Sequence, residues 1–185
     1  NAQSRLFETE LTRRGIPFMV YGGLRFFDRA EIKNAMAYMR LAENPSDDSA
    51  FLRVVNVPAR GIGAKSIENL VDFATTNGIS LFESMQYIRG AAAAKFAAFK
   101  EIIDTLRVAK DEMPLPAFVD FTVEKSGLKN MYEMDPNGSE RIENLQELTS
   151  AAQGFTKEEA IDTENSDGTA VENLSALAGF VSHAS

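Results

Sequence analysis

Residues 49–74 read SAFLRVVNVPARGIGAKSIENLVDFA, two short amphipathic stretches on either side of a turn containing Gly61-Ile62-Gly63. Asp47 or Asp48 is placed to open the first stretch, which holds Phe51, Leu52, Val54 and Val55 and stops at Pro58. The second carries Ile67, Leu70, Val71 and Phe73 at helical spacing and runs to Asn77-Gly78, a natural helix end. Two helices joined by a glycine-bearing turn make a helix-hairpin-helix-like element and predict an all-α fold. Gly61 and Gly63 permit positive φ and let another molecule approach the main chain closely. The second helix then starts at Ala64-Lys65-Ser66, so unpaired N–H groups and the positive dipole end point out of the turn. A phosphate suits such a site, with Lys65 adding charge, Ser66 a hydroxyl and Arg60 flanking the other side. Ile62 reads as an inward anchor. The same residues also read as a ligand-free helix connection closed by glycines, and both readings stand at this point. A Walker A loop is excluded here, because its Gly and Lys must be adjacent and its glycines further apart.

Working outward, the pattern stays helical. Residues 2–14 form an amphipathic stretch ending at Gly15, and 17–21 (PFMVY) is a short apolar run that reads as at most one strand. Asp28 with Glu31 three residues later has capping-box spacing for a helix carrying Ile32, Ala35, Met36 and Met39, ending near Asn44-Pro45. Ser80 with Glu83 repeats that spacing and predicts a helix to Gly90. A long helix follows over 91–111, and further helices are expected near 116–126, 128–134, 139–154 and 170–183. Residues 156–169 (TKEEAIDTENSDGT) are acidic and lack apolar periodicity, which predicts a mobile loop.

Composition narrows the function classes. With 185 residues, 44% of them hydrophobic, the chain can bury a single core. It has no cysteine and one histidine, so disulfides, thiolate metal sites and imidazole clusters are excluded. No apolar run approaches the roughly 18 residues that span a bilayer, so no membrane partner is expected. The first residue is Asn in a polar stretch, which reads as an excised fragment with a cytoplasmic origin. The net charge of −8 hides an asymmetry: residues 1–66 sum to +3 and the remainder to −11. A polyanion therefore belongs on the first third.

At this level of detail the chain resembles the UvrD/PcrA/Rep-like superfamily 1 DNA helicases. VNVPARGIGAKSIENL (55–70) resembles the segment bearing the GIG turn of their accessory domain. NAQSRLFETELTRRGIPFMVYGGLRFFDRAEIKNAMAYMRL (1–41), KSGLKNMYE (125–133) and SERIENLQELTSAAQGF (139–155) resemble further stretches of the same family in the same order, and the match resumes near 177–185. The resemblance implies a lead-in from the second motor domain at 1–23 and a helical 2B-like accessory domain at 24–185. It implies a parent that hydrolyses ATP with Mg to translocate 3′→5′ on single-stranded DNA. The nucleotide site would lie outside these residues, so no cofactor and no catalytic residue is expected in this chain. The implied partners are double-stranded DNA, single/double-strand junctions, the parent's own motor domains and repair or replication proteins, with use near the nucleoid. The turn would supply the duplex contact through Arg60, Gly61, Ile62, Gly63, Lys65 and Ser66. Relatives often carry a hydroxyl or a basic residue where this chain has Ala59 and Ala64, which implies a weaker contact there.

Other residues admit both a functional and a plainer role. Arg25, Phe26, Phe27, Arg29 and Lys33 cluster as a basic-aromatic group that suits single-stranded DNA. The phenylalanines read better as packing, while Arg25 and Arg29 remain candidate DNA contacts. His183 reads as a surface or packing residue. Asp47-Asp48 and Glu158-Glu159 are explained by capping and solvation, and no metal site is expected. A rival reading makes the chain a protein-interaction or autoregulatory module that docks through its acidic portion.

Overall fold

The computed structural model describes residues 25–164 and 176–183, with side chains described at 25–156 and 177–181. Every regular element among them is helical, as the periodicity predicts. The expected helix at 2–14, the strand-like run at 17–21 and loop residues 165–169 lie outside the described residues.

The centre is α1 (Ala30–Glu43), which buries Ile32, Ala35, Met36, Ala37, Tyr38, Met39, Leu41 and Ala42. A helix apolar around most of its circumference must be surrounded. Here α2 (Asp48–Val54), α5 (Ala93–Glu112), α6 (Leu115–Lys125), α8 (Ser139–Glu164) and α9 (Ala176–His183) all pack on it. α5 presents the stripe Phe96, Phe99, Ile103, Leu106 and Ala109. Phe99 meets Phe51 of α2 edge to face with ring centres 5.4 Å apart, and lies 6.4 Å from the Tyr38 ring. Between α2 and α5 run α3 (Ala64–Asn77) and the single turn α4 (Leu81–Ser84). α7 (Leu128–Glu133) bridges α6 and α8.

Several ends follow their local signals. The Asp47 carboxylate accepts from Ala50 N at 2.9 Å and caps α2. Ser80 Oγ accepts from Glu83 N at 3.1 Å and opens α4. Gly78 closes α3 in the left-handed region at φ +64°.

Three expectations are corrected. Asp28 does not cap α1: it lies in a 3-10 turn, Phe26–Asp28, and Arg29 occupies the cap position without a side-chain bond. Glu31, expected to complete that box, is buried and accepts from Asn144 Nδ2 of α8 at 2.7 Å. A buried carboxylate needs a donor, and a side chain on a packed helix supplies a better one than a cap exposed to water. The helix expected to reach Gly90 gives way after Ser84 to a 3-10 turn, Met85–Tyr87. There Tyr87 stacks on Phe73 of α3 with centroids 5.2 Å apart, so tertiary packing overrides local propensity. α8 continues to Glu164, so 156–164 are helical rather than loop. That stretch contains neither Gly nor Pro, and its Lys, Glu and Ala are good helix formers.

Candidate functional site

The connection between α2 and α3, residues 55–63, is held from inside by its own Asn56 and Ile62. Asn56 Oδ1 accepts from Arg60 N at 2.7 Å and from Ile62 N at 3.4 Å. Ile62 is 2% exposed and seated in the core, as expected of an anchor. Val57-Pro58 is a cis peptide, and the Pro58 ring lies against Gly127.

Arg60 points inward. Its guanidinium donates to Val54 O at 3.2 Å, Pro58 O at 3.0 Å, Ser126 O at 2.9 Å and the Tyr38 hydroxyl at 2.7 Å. It also lies over the Phe99 ring at 5.3 Å. The side chain is therefore committed to fastening the turn, and its backbone N–H is spent on Asn56. Burial drives the Tyr38 phenol up to about 12, and the neighbouring Arg60 charge and hydrogen bond offset only part of that rise. Tyr38 thus stays a neutral donor to Val57 O while accepting from Arg60.

The outer face of the turn is exposed main chain. Gly61 has φ +69°, a conformation that a side chain disfavours. Gly63 departs from expectation: its φ is −74°, it is the residue preceding α3, and a Cβ there would meet nothing within 4 Å. Backbone freedom therefore does not require a glycine at this position. Ser66 N and Ile67 N bond back to Gly63 O, at 3.0 and 3.2 Å. Among the described residues, the N–H groups of Gly61, Gly63, Ala64 and Lys65 have no acceptor, and all four residues are exposed. Four outward donors at the positive end of a 14-residue helix form a surface suited to an anion. Lys65 stands beside them, 80% exposed, with a loose contact to Glu68 at 3.4 Å that water weakens. Ser66 is half-buried on the same first turn.

Arg25 and Arg29 are not brought to this surface. Arg29 lies nine residues before Tyr38 on α1, roughly 13 Å along the axis at 1.5 Å per residue. Arg29 NH1 donates to Asn144 Oδ1 and lies 3.8 Å from Glu140, tying α1 to α8. Arg25 is exposed, Phe26 is 1% exposed, and the two phenylalanine rings meet edge to face, so the pair packs rather than offers a stacking platform. Asp48 accepts from Leu81 N at 2.9 Å, as structural an acid as its partner Asp47. Among the described residues no cluster of three metal-ligating side chains occurs, and no helix is long and apolar enough to cross a membrane. The side chains of Glu158, Glu159 and His183 lie outside the described residues.

Sequence reading missed Tyr38, Asn56, Ser126 and Lys95. Lys95, near the start of α5, donates through Nζ to Gly61 O, and nothing in the 49–74 stretch signals a partner 34 residues on. The turn also joins two segments singled out separately in the sequence, since Arg60 of 55–70 bonds Ser126 of 125–133.

A family model for the UvrD-like helicase C-terminal domain matches residues 1–185. The chain belongs to this family. Among UvrD-like relatives, DNA helicase II of Haemophilus influenzae is 39% identical across the whole chain, which covers 25% of that protein. DNA helicase II of Escherichia coli is 38% identical, again over the whole chain and 25% of the relative. ATP-dependent DNA helicase PcrA of Bacillus subtilis is 34% identical over 96% of the chain and 24% of the relative. The chain thus spans about a quarter of the length of the curated relatives it matches. Within this UvrD-like domain, the turn at 55–63 and the first residues of α3 bring exposed main-chain donors and a cation together.

Proposed function

We propose that this chain is the 2B-like accessory domain of a UvrD/PcrA-type helicase, and that its turn binds the backbone of duplex DNA near a single/double-strand junction. The observation that carries the reading is the set of four outward N–H groups at Gly61, Gly63, Ala64 and Lys65, on a turn pinned from within by Arg60 and Ile62. Main-chain donors and Lys65 would take phosphate oxygens, Ser66 would add a hydroxyl, and Arg60 would hold the turn in shape. Contact of this kind is independent of base sequence and weakens as salt rises. Arg25 and Arg29 would lie on a separate face, available to the strand only if it extends across α1. The parent enzyme would work in the cytoplasm on chromosomal DNA, hydrolysing ATP with Mg between motor domains that these residues do not include. This chain, with no P-loop sequence, would contribute binding and regulation rather than hydrolysis, through contact with DNA and with the parent's own motor domains.

The test is fluorescence anisotropy of a labelled hairpin duplex with a single-stranded tail, comparing wild type, Lys65→Glu and Gly63→Val. A valine at 63 has room and an ordinary φ, so the fold should persist while the side chain covers the donors. Salt-sensitive binding that both substitutions weaken supports the proposal. Binding indifferent to both, or none at low salt, would sink it and favour a protein-docking module.

A further inference from the structure

The turn's own sequence leaves Lys65 as its exposed cation. Arg60 faces inward on four acceptors, and Lys65 shares its charge with Glu68. A third cation arrives from elsewhere in the chain. Lys95 is exposed, and its ammonium donates to Gly61 O. An added Cβ at Gly61 would stand 3.1 Å from Lys95 Nζ, so the ammonium lies close against the bare α-carbon and would have to shift slightly for a side chain. Positive φ at Gly61 is an independent requirement at the same residue.

We propose that Lys95 is a phosphate-binding residue of the turn, acting with the main-chain donors of residues 61–65. An ammonium has three N–H donors, and the carbonyl of Gly61 uses one. The remaining two are available to an anion, and among the described residues no carboxylate pairs with Lys95. Its bond to Gly61 also restrains a side chain that would otherwise lose rotamer freedom on capturing a ligand. The cation is held in position before the phosphate arrives, whereas an unrestrained surface lysine must be ordered by it. This assignment rests on the duplex-binding reading above and names which side chain completes it.

The discriminating measurement is the salt dependence of binding by the full 185-residue chain, using the same tailed hairpin. Each phosphate contact contributes about 0.9 to the slope of log affinity against log salt. Lys95→Gln should make that slope shallower by about 0.9, and Lys95→Arg should restore it. If Lys95→Gln weakens binding equally at every salt concentration, the residue only shapes the turn and the assignment is overturned. If its slope matches wild type while Lys65→Gln is shallower, Lys95 takes no phosphate but the duplex-binding reading survives. Wild-type binding without any salt dependence removes both.

Discussion

The Arg60 guanidinium donates to the Tyr38 hydroxyl at 2.7 Å, so a residue at the mouth of the turn is fastened to the middle of the central helix. Tyr38 passes the constraint on by donating to Val57 O, inside the same connection. Substituting Arg60 leaves the carbonyls of Pro58 and Ser126 without that donor and removes the bond to this hydroxyl, while Val54 O keeps Val57 N at 3.0 Å. Arg60→Met should cost about 2–4 kcal/mol, and Arg60→Lys should recover little of it, because one ammonium cannot reach acceptors spread around a planar fork. Urea denaturation measures the loss. A lysine variant as stable as wild type would show that the fork geometry is dispensable.

Tyr38 also sets an alkaline limit. Its folded-state value, about 12, is above the ordinary 10.0. A group whose pKa is raised by folding contributes stability that is fully present below the unfolded value. That stability is lost as pH rises from 10 through 12, because the unfolded chain releases the proton first. The amount at stake is on the order of 2 kcal/mol. Tyr38→Phe should flatten the decline in urea midpoint over that range, and phenolate absorbance should lose its latest-titrating component. Tyr132 is shifted in the same direction, chiefly by burial, so part of the late titration should survive.

The two glycines of the turn should behave differently. Gly61→Ala places a Cβ in the left-handed region and against Lys95, and should cost about 1–2 kcal/mol. Gly63→Ala meets nothing and keeps an ordinary φ, so its midpoint should stay within about 0.5 kcal/mol of wild type. Equal losses at both positions would contradict the backbone described here.

Asn144 joins α8 to α1 through Glu31 and Arg29. Asn144→Leu leaves a carboxylate oxygen of a 6% exposed residue without its donor, and should cost about 1–3 kcal/mol. Pairing it with Glu31→Met removes the orphaned acceptor and should recover part of that loss in a double-mutant cycle. Strict additivity would mean that the contact carries no coupling.

Asp47 serves two ends. It caps α2 and receives Arg40 NH2 at 2.6 Å. Asp47→Ala should therefore cost about 1–2 kcal/mol, toward the upper end for a cap residue. Asp47→Asn, which keeps the cap acceptor, should lose less. Thermal melts of the two variants decide it.

The alternation of apolar helical stripes with Gly and Pro stops determined the all-α class, and Asp47, Ser80 and Gly78 mark real helix ends because a cap acts within three or four residues. The acidic run from Thr156 to Glu164 is helical although it carries no apolar stripe. Absence of an apolar stripe says nothing about a helix whose residues favour that state individually and extend one already packed. The site divides in the same way. The exposed N–H groups at 61–65 follow from where α3 begins, a local matter legible in Gly61-Ile62-Gly63-Ala64-Lys65. The direction of Arg60 does not, since it depends on Tyr38 of α1, Phe99 of α5 and Ser126 in the connection after α6. Lys95 is as remote, 34 residues from the carbonyl that holds it. Short-range steric and hydrogen-bonding preferences wrote the helices and the turn into the sequence. Which charges face out of that turn was decided only when the helices packed, because a buried guanidinium goes where unpaired carbonyls and aromatic faces converge.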